Sequence, residues 1–219
     1  MPSEWLVWQM ADSAFPSGGF AHSAGLEAAW QSGEVTAAAG LERFVRETVE
    51  QAGRAGLPFV TAAHARPDRL AVFDDLADAF LTNAVANRAS RVQGRAFVST
   101  CARIWPMPSL RDLEAQAKSL RGHYAPLAGA AGRAISISLD VSQRLFLFQT
   151  VRGVLAAAVR LGIVGGYEAQ RLQSGCAGLL DAVRARCCAL DERHVTQTAP
   201  LIDLLQSTHD RLYSRLFQS

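Results

Sequence analysis

The sequence predicts an all-α protein, a single compact helical domain of about eight to ten helices around one buried central helix. Apolar residues recur mostly with the 3.6-residue period of an α-helix rather than the two-residue period of a strand. Alanine, leucine and arginine, which favour helices, are frequent. The 219 residues, of which 49% are hydrophobic, are enough to bury a substantial core in one domain.

A turn-forming stretch comes first. Pro16 fixes its own backbone angle, and the neighbouring pair Gly18 and Gly19 allows angles that other residues avoid. A helix is then expected to begin near Phe20. One face of this helix would carry His22, Leu26, Ala29 and Trp30.

Two amphipathic regions follow. Residues 40–53 place apolar side chains on one face and charged ones on the other, which is typical of a surface helix. The apolar face consists of Leu41, Phe44, Val45, Thr48 and Val49. The helical repeat of residues 69–97 is expected to restart near Asn83. The prolines within Trp105–Ser109 end it, because proline lacks a backbone N–H donor.

Residues 110–124 predict a further helix. Residues 134–142 alternate between apolar and polar like a strand, but a single strand without a partner is not viable. This segment therefore indicates a helix end followed by a capped restart at Asp140 or Ser142.

The most apolar segment, residues 144–166, predicts the buried central helix, with Arg152 and Arg160 at its edges. Residues 167–193 are expected to resume a helix after the glycine pair that ends it. After Pro200, apolar side chains again recur on one side of a helix. They are Leu201, Leu204, Leu205, Thr208, Leu212, Leu216 and Phe217.

Charge and cysteine content narrow the class of protein. The net charge of +2 is too small to indicate binding to nucleic acid or to an anionic membrane by itself. The four cysteines have no metal-ligand spacing, which favours reduced thiols in the cytosol. The first residues do not read as a signal peptide, and no apolar run is long enough to span a bilayer. The sequence thus predicts a cytoplasmic protein without a membrane partner.

The spacing of the reactive side chains bears on three kinds of chemical site. A nucleotide-binding loop is excluded because the only lysine, Lys118, has no upstream glycines. A catalytic triad of a serine with His22 and Asp12 has no nucleophile elbow to support it. A metal site at Cys187, Asp191 and His194 would need all three on one helix face, at i, i+4 and i+7, and ordinary burial and solvation of these residues is favoured. No catalytic residue, metal ligand or cofactor is therefore predicted.

Two alternatives stay open from the residues alone. Arg88, Arg91 and Arg95 share one helix face, so a helical nucleic-acid-binding regulator is the main alternative. A small metal-dependent hydrolase is the other. Neither class shows its usual fingerprint, and nucleic acid is not an expected partner.

Five motifs, in this order and spacing, carry a family resemblance. They are DSAFPSGGFAHSAGLE (Asp12–Glu27), NRASRVQG (Asn87–Gly94), HYAPLAG (His123–Gly129), AAAVRLG (Ala156–Gly162) and HDRLYSRLFQS (His209–Ser219). Across nearly the whole chain they resemble the urease accessory protein F family, UreF. The first and last motifs are the most specific, because neither is a generic helical pattern.

The resemblance implies a non-enzymatic, all-helical, cytoplasmic homodimer. Such a protein bridges urease accessory protein D, called H in some systems, to the GTPase accessory protein G, for GTP-dependent nickel insertion into apo-urease. Residues 1–199 would form the helical domain, and residues 200–219 a tail that becomes ordered on the D partner. The sequence departs from the pattern of this family at Ala24 and at the pair Gly165 and Gly166, but the resemblance holds despite these differences.

The resemblance also implies where partners bind. His22, Ser23 and Glu27 are expected to shape a surface near the dimer or the GTPase partner, and the tail is expected to hold the D partner. The full set of expected partner-binding residues is His22, Ser23, Glu27, Arg88, Arg91, Arg211, Tyr213, Arg215, Leu216 and Phe217.

Overall fold

The computed structural model describes residues 4–219, and within them it contains α-helices and no β-strand. The all-α fold class is confirmed. The helices are α1 (Glu4–Ala11), α2 (Leu26–Gln31), α3 (Ala38–Gln51), α4 (Leu57–Ala65), α5 (Leu70–Phe80), α6 (Ala84–Ile104), α7 (Pro108–Ala117), α8 (Tyr124–Ala134), α9 (Leu139–Arg160), α10 (Gly166–Gly175), α11 (Ala177–Cys187) and α12 (Pro200–Ser207). There are more segments than predicted because several long periodic stretches are interrupted.

The central helix is α9, as the apolar segment predicted. Its buried side chains include Leu147, Val151 and Leu155, and they pack with α3 and α4 in one hydrophobic cluster. A second cluster forms where α8 packs against α4, α6 and α7. The predicted capped restart exists but lies earlier than expected, because Ser138 Oγ accepts from the Val141 N–H at 3.3 Å.

The predicted restart at Asn83 is confirmed. Asn83 Oδ1 accepts from the backbone N–H groups of Val85 (3.0 Å) and Ala86 (3.3 Å), which caps α6. The Asn83 amide nitrogen donates to the backbone oxygen of Asp203 at 2.8 Å, so the same side chain joins α6 to α12. Helix α6 ends at Ile104, just before the proline segment.

Helix α7 ends earlier than the predicted boundary at Tyr124. Between α7 and α8 the chain turns at Gly122, whose φ of +89° is a left-handed angle, so one helix does not run on into the next. The buried Asp74 carboxylate holds this turn by accepting from the Gly122 N–H (3.0 Å) and the His123 N–H (2.7 Å). The break is therefore fixed by a residue 48 positions away along the chain.

The prediction of a helix beginning near Phe20 is wrong. Residues 19–21 form one 3-10 turn, and α2 begins only at Leu26. Ala24 and Gly25 both have positive φ, 54° and 86°, so the backbone cannot continue a right-handed helix through them. His22 consequently does not share a helix face with Leu26.

Two other long helices are shorter than predicted. The segment 167–193 divides into α10 and α11 and ends at Cys187. Helix α12 ends at Ser207, and a 3-10 turn, His209–Arg211, is followed by non-helical residues. The single apolar helix face reaching Phe217 therefore does not form. Ordering of the tail by a partner stays a prediction, although here α12 packs Ile202 into the core.

No helix among residues 4–219 has both the length and the apolar character needed to cross a bilayer.

Candidate partner-binding site where the first motif meets the tail

Residues 209–219 run back over residues 20–31, and we call this contact the tail junction. The Gln218 N–H donates to the Ala21 oxygen at 2.8 Å, and the Ser23 N–H donates to the Ser219 oxygen at 2.6 Å. Further along, the Gln31 amide donates to the Ser214 oxygen at 2.8 Å. The first and last motifs of the sequence, nearly 200 residues apart, thus form one structure.

The centre of the tail junction is the carboxylate of Glu27, which is only 2% exposed. Glu27 Oε1 accepts from the Leu216 N–H at 2.6 Å, and Oε2 accepts from the Phe217 N–H at 3.2 Å. Oε2 also lies 3.1 Å from Nε2 of His209, whose side chain is fully buried. One buried carboxylate therefore satisfies three donors of the tail, as a buried charge requires.

His22 and Ser23 hold the end of the same segment. His22 Nδ1 lies 2.6 Å from Ser219 Oγ, and the Ser23 hydroxyl donates to the Ser219 oxygen at 3.1 Å. Burial, followed by repulsion from His209 and Arg88, lowers the pKa of His22. The imidazole of His22 is therefore mostly neutral at pH 7 and serves as a structural hydrogen-bonding group.

The ring of Phe217 lies inside the molecule, where it meets Arg160 of the central helix. The Arg160 guanidinium lies 4.2 Å from the centroid of the Phe217 ring and 3.8 Å from that of Phe20, so it stands against both rings. Arg160 also donates to the Phe20 oxygen at 2.5 Å. Phe217 is 5% exposed, so it fixes the tail to the domain from within.

On the outer side of the tail, several side chains are exposed to solvent. Tyr213 is fully exposed and Leu216 is 52% exposed, while Arg211 and Arg215 lie on the surface beside them. Helix α12 exposes Leu201 and Leu204 as well. The expected partner-binding residues thus divide into a buried set beneath the tail and an exposed set on it.

Arg88 belongs to the tail junction, because its guanidinium donates to both carboxylate oxygens of Asp210, at 2.8 and 3.1 Å. Arg215 lies 3.7 Å from the same carboxylate. The other members of the arginine row are engaged elsewhere: Arg91 donates to the Arg121 oxygen and Arg95 to the Leu120 oxygen, each at 3.2 Å. Within the row, Arg88 is neutralised by the Asp210 carboxylate, which lowers the positive charge that the nucleic-acid alternative needs.

The candidate metal site is not assembled. Helix α11 ends at Cys187, which is buried, so Asp191 and His194 do not extend its face. Asp191 instead caps the turn Glu192–His194, where a hydrogen bond from Arg193 lowers its pKa. Residues 4–219 hold no group of three or more side chains arranged for a metal ion.

Sequence reasoning missed three residues of the junction: His209, Asp210 and Arg160. The first two begin the last motif, so their position in it was a usable signal. Nothing in the periodicity of α9 indicates that Arg160 contacts two aromatic rings, because both rings come from distant segments.

Comparison with known proteins gives a consistent result. Residues 35–177 match the family described as UreF. The chain is 38% identical to urease accessory protein F of Oryza sativa subsp. indica, covering 98% of this chain and 85% of that protein. It is 37% identical to urease accessory protein F of Arabidopsis thaliana, covering 99% and 92%. It is 28% identical to the urease accessory protein UreF of Ruegeria pomeroyi, covering 100% and 99%.

Proposed function

Because the chain belongs to the UreF family of urease accessory proteins, we propose that it acts in urease maturation as a non-enzymatic scaffold. It joins urease accessory protein D, or H in some systems, to the GTPase accessory protein G. The joined complex delivers nickel to apo-urease in a GTP-dependent reaction. In this account nickel is cargo of the complex, and the chain works in the cytoplasm as a homodimer.

The tail junction is the observation that carries this proposal. Glu27, His22 and Ser23 hold the inner side of the tail through buried and half-buried hydrogen bonds, while Tyr213, Leu216 and their arginine neighbours point outward. Because these bonds fix the inner side of the tail, fewer of its residues remain to be ordered when a partner docks, which lowers the entropy lost on binding. An exposed tyrosine beside arginine is also the usual composition of a binding hot spot.

We assign the outer side of the tail to accessory protein D. Its members are Arg211, Tyr213, Arg215 and Leu216, with Phe217 as the internal anchor that keeps them in place. His22, Ser23 and Glu27 act indirectly, because they lie beneath the tail and shape the surface that partners meet. Arg88 acts in the same indirect way through Asp210. We place Arg91 on the same partner-binding surface, where it also braces the turn before α8.

Light scattering after size-exclusion chromatography tests the scaffold role. The purified chain is mixed with accessory protein D, with GTP-loaded accessory protein G, and with both. We expect D to co-elute with the chain, and G to join only when the chain is present. If D and G form the same complex without the chain, or if the chain binds neither, the scaffold role is wrong.

A further inference from the structure

A cavity of about 600 Å³ lies between residues 13–20 and the central helix α9. Its walls are mainly apolar and include Phe15, Phe146, Val154 and the tail residue Phe217. This size and lining are typical of sites that hold a small organic molecule, which need apolar walls and a few well-placed polar groups.

The charged side chains of the lining are all basic. Arg152 and Arg160 line the cavity, and no aspartate or glutamate does. Within residues 4–219, neither arginine has a carboxylate oxygen within 4.0 Å. Arg152 uses Nη1 to donate to the Ala11 and Asp12 oxygens, both at 2.5 Å, and Arg160 uses Nη1 for the Phe20 oxygen. The Nε and Nη2 donors of both have no acceptor among the described residues.

These arginines keep their charge. Burial lowers the pKa of Arg152 and the nearby Asp12 carboxylate acts against this shift; a guanidinium group stays protonated in proteins because its ordinary pKa is far above neutral. His22 also lines the cavity and is mostly neutral at pH 7, since burial lowers its pKa. The positive potential of the cavity therefore comes from the two guanidinium groups.

Two neutral polar groups and one glycine complete the lining. The hydroxyl of Ser17 and the amide of Gln93 line the cavity and make no hydrogen bond to residues 4–219. Gly153 lies in the middle of α9, and a Cβ placed there would meet nothing within 4 Å. Glycine is unfavourable inside a helix. At this position it leaves open space beside α9, which a larger side chain would fill.

We infer that this cavity binds a small organic anion, whose apolar body packs among the phenylalanine rings and whose oxyanion head group accepts from Arg152 and Arg160. Planar guanidinium groups suit a carboxylate or phosphate head group, because two donors can face two oxygens. Ser17 and Gln93 supply further hydrogen bonds to polar parts of the ligand. This site goes beyond the scaffold role and does not depend on any protein partner.

Isothermal titration calorimetry with a matched pair of probes tests the site. Naphthalene-2-carboxylate and naphthalene-2-carboxamide have the same shape, but only the first carries a charge. We expect saturable 1:1 binding of the carboxylate to the full chain, with the amide at least tenfold weaker, because hydrogen bonds to charged groups are the stronger ones. No binding of the carboxylate, or equal binding of both probes, would overturn the proposal.

Two variants locate the binding. Gly153→Leu fills the cavity and is expected to abolish carboxylate binding, while Gly178→Leu, at another helical glycine with open space, should leave it unchanged. Arg152→Gln is expected to weaken carboxylate binding at least tenfold, and Arg103→Gln, at an exposed arginine away from the cavity, should not. Circular dichroism checks folding, and Arg160→Gln replaces any variant that does not fold. Carboxylate binding that none of the cavity variants changes would show that the anion binds elsewhere.

Discussion

Within helix α2, the side chain of Glu27 makes more hydrogen bonds to the tail than any of its neighbours. Its three hydrogen-bonded partners, the Leu216 N–H, the Phe217 N–H and His209, come from residues more than 180 positions away. A buried carboxylate holding backbone donors is a charge-assisted interaction, which is stronger than a neutral hydrogen bond. Loss of this one carboxylate therefore affects the whole tail.

Glu27→Ala is expected to lower the free energy of unfolding by about 2–4 kcal/mol, because three donors of the tail, two of them in buried hydrogen bonds, lose their acceptor. Urea denaturation followed by circular dichroism measures the change. Glu47→Ala, at an exposed position of α3, is the matched control and should stay within about 0.5 kcal/mol of the original chain. Equal losses for the two variants would mean that Glu27 does not anchor the tail.

His22 gives the stability a dependence on pH. Its pKa is lowered in the folded chain, so below about pH 6.5 the unfolded chain binds more protons than the folded one. The contribution of neutral His22 is present above that pH and is lost as the pH falls through the folded pKa. We expect the free energy of unfolding to fall between pH 7.5 and 5.5, and to fall less in His22→Asn. Parallel curves for the two proteins would contradict this role.

At the scale of elements, helix boundaries could be predicted where the signal is local. The restart at Asn83 has a side chain that caps its own helix, and proline ends α6 by removing a donor. The break before α8 was missed because it depends on Asp74, which contacts the turn only in the folded chain. The break at Ala24 was missed because an alanine with positive φ has no sequence signature.

Asn83 has two separable functions, capping α6 and bonding α12. Asn83→Ala removes both and is expected to destabilise the chain by about 1–2 kcal/mol. Asn83→Ser keeps an oxygen for the cap but loses the amide that donates to Asp203, so its loss should be smaller. Thermal unfolding of the two variants checks the order. If serine costs as much as alanine, the cap contributes nothing.

The packing of α8 on α4 depends on a glycine at the contact. A Cβ at Gly129 would lie 2.3 Å from the Val60 oxygen, so Gly129→Ala must push the two helices apart. We expect a loss of about 2–3 kcal/mol. Gly153→Ala meets nothing within 4 Å and should instead stabilise the chain by about 0.5–1 kcal/mol. Urea denaturation that gives both variants the same sign would contradict this packing.

At the scale of the whole molecule, the fold class and family could be predicted from sequence, but the tail junction could not. Periodicity indicates which residues are buried within one helix, whereas the junction pairs segments from opposite ends of the chain. Phe217 shows the difference. The sequence identified Phe217 correctly as apolar. It did not reveal that Phe217 packs on Arg160 inside the molecule, while Tyr213 lies on the surface.

The claim that the outer side of the tail binds accessory protein D can be tested by isothermal titration calorimetry of D into the original chain and into Tyr213→Ala. Tyr167→Ala is the control, because Tyr167 is 98% exposed but lies in α10. Truncating a hot-spot tyrosine costs about 2 kcal/mol, so we expect Tyr213→Ala to raise the Kd about 30-fold and Tyr167→Ala to leave it unchanged. An unchanged Kd for Tyr213→Ala would contradict the claim.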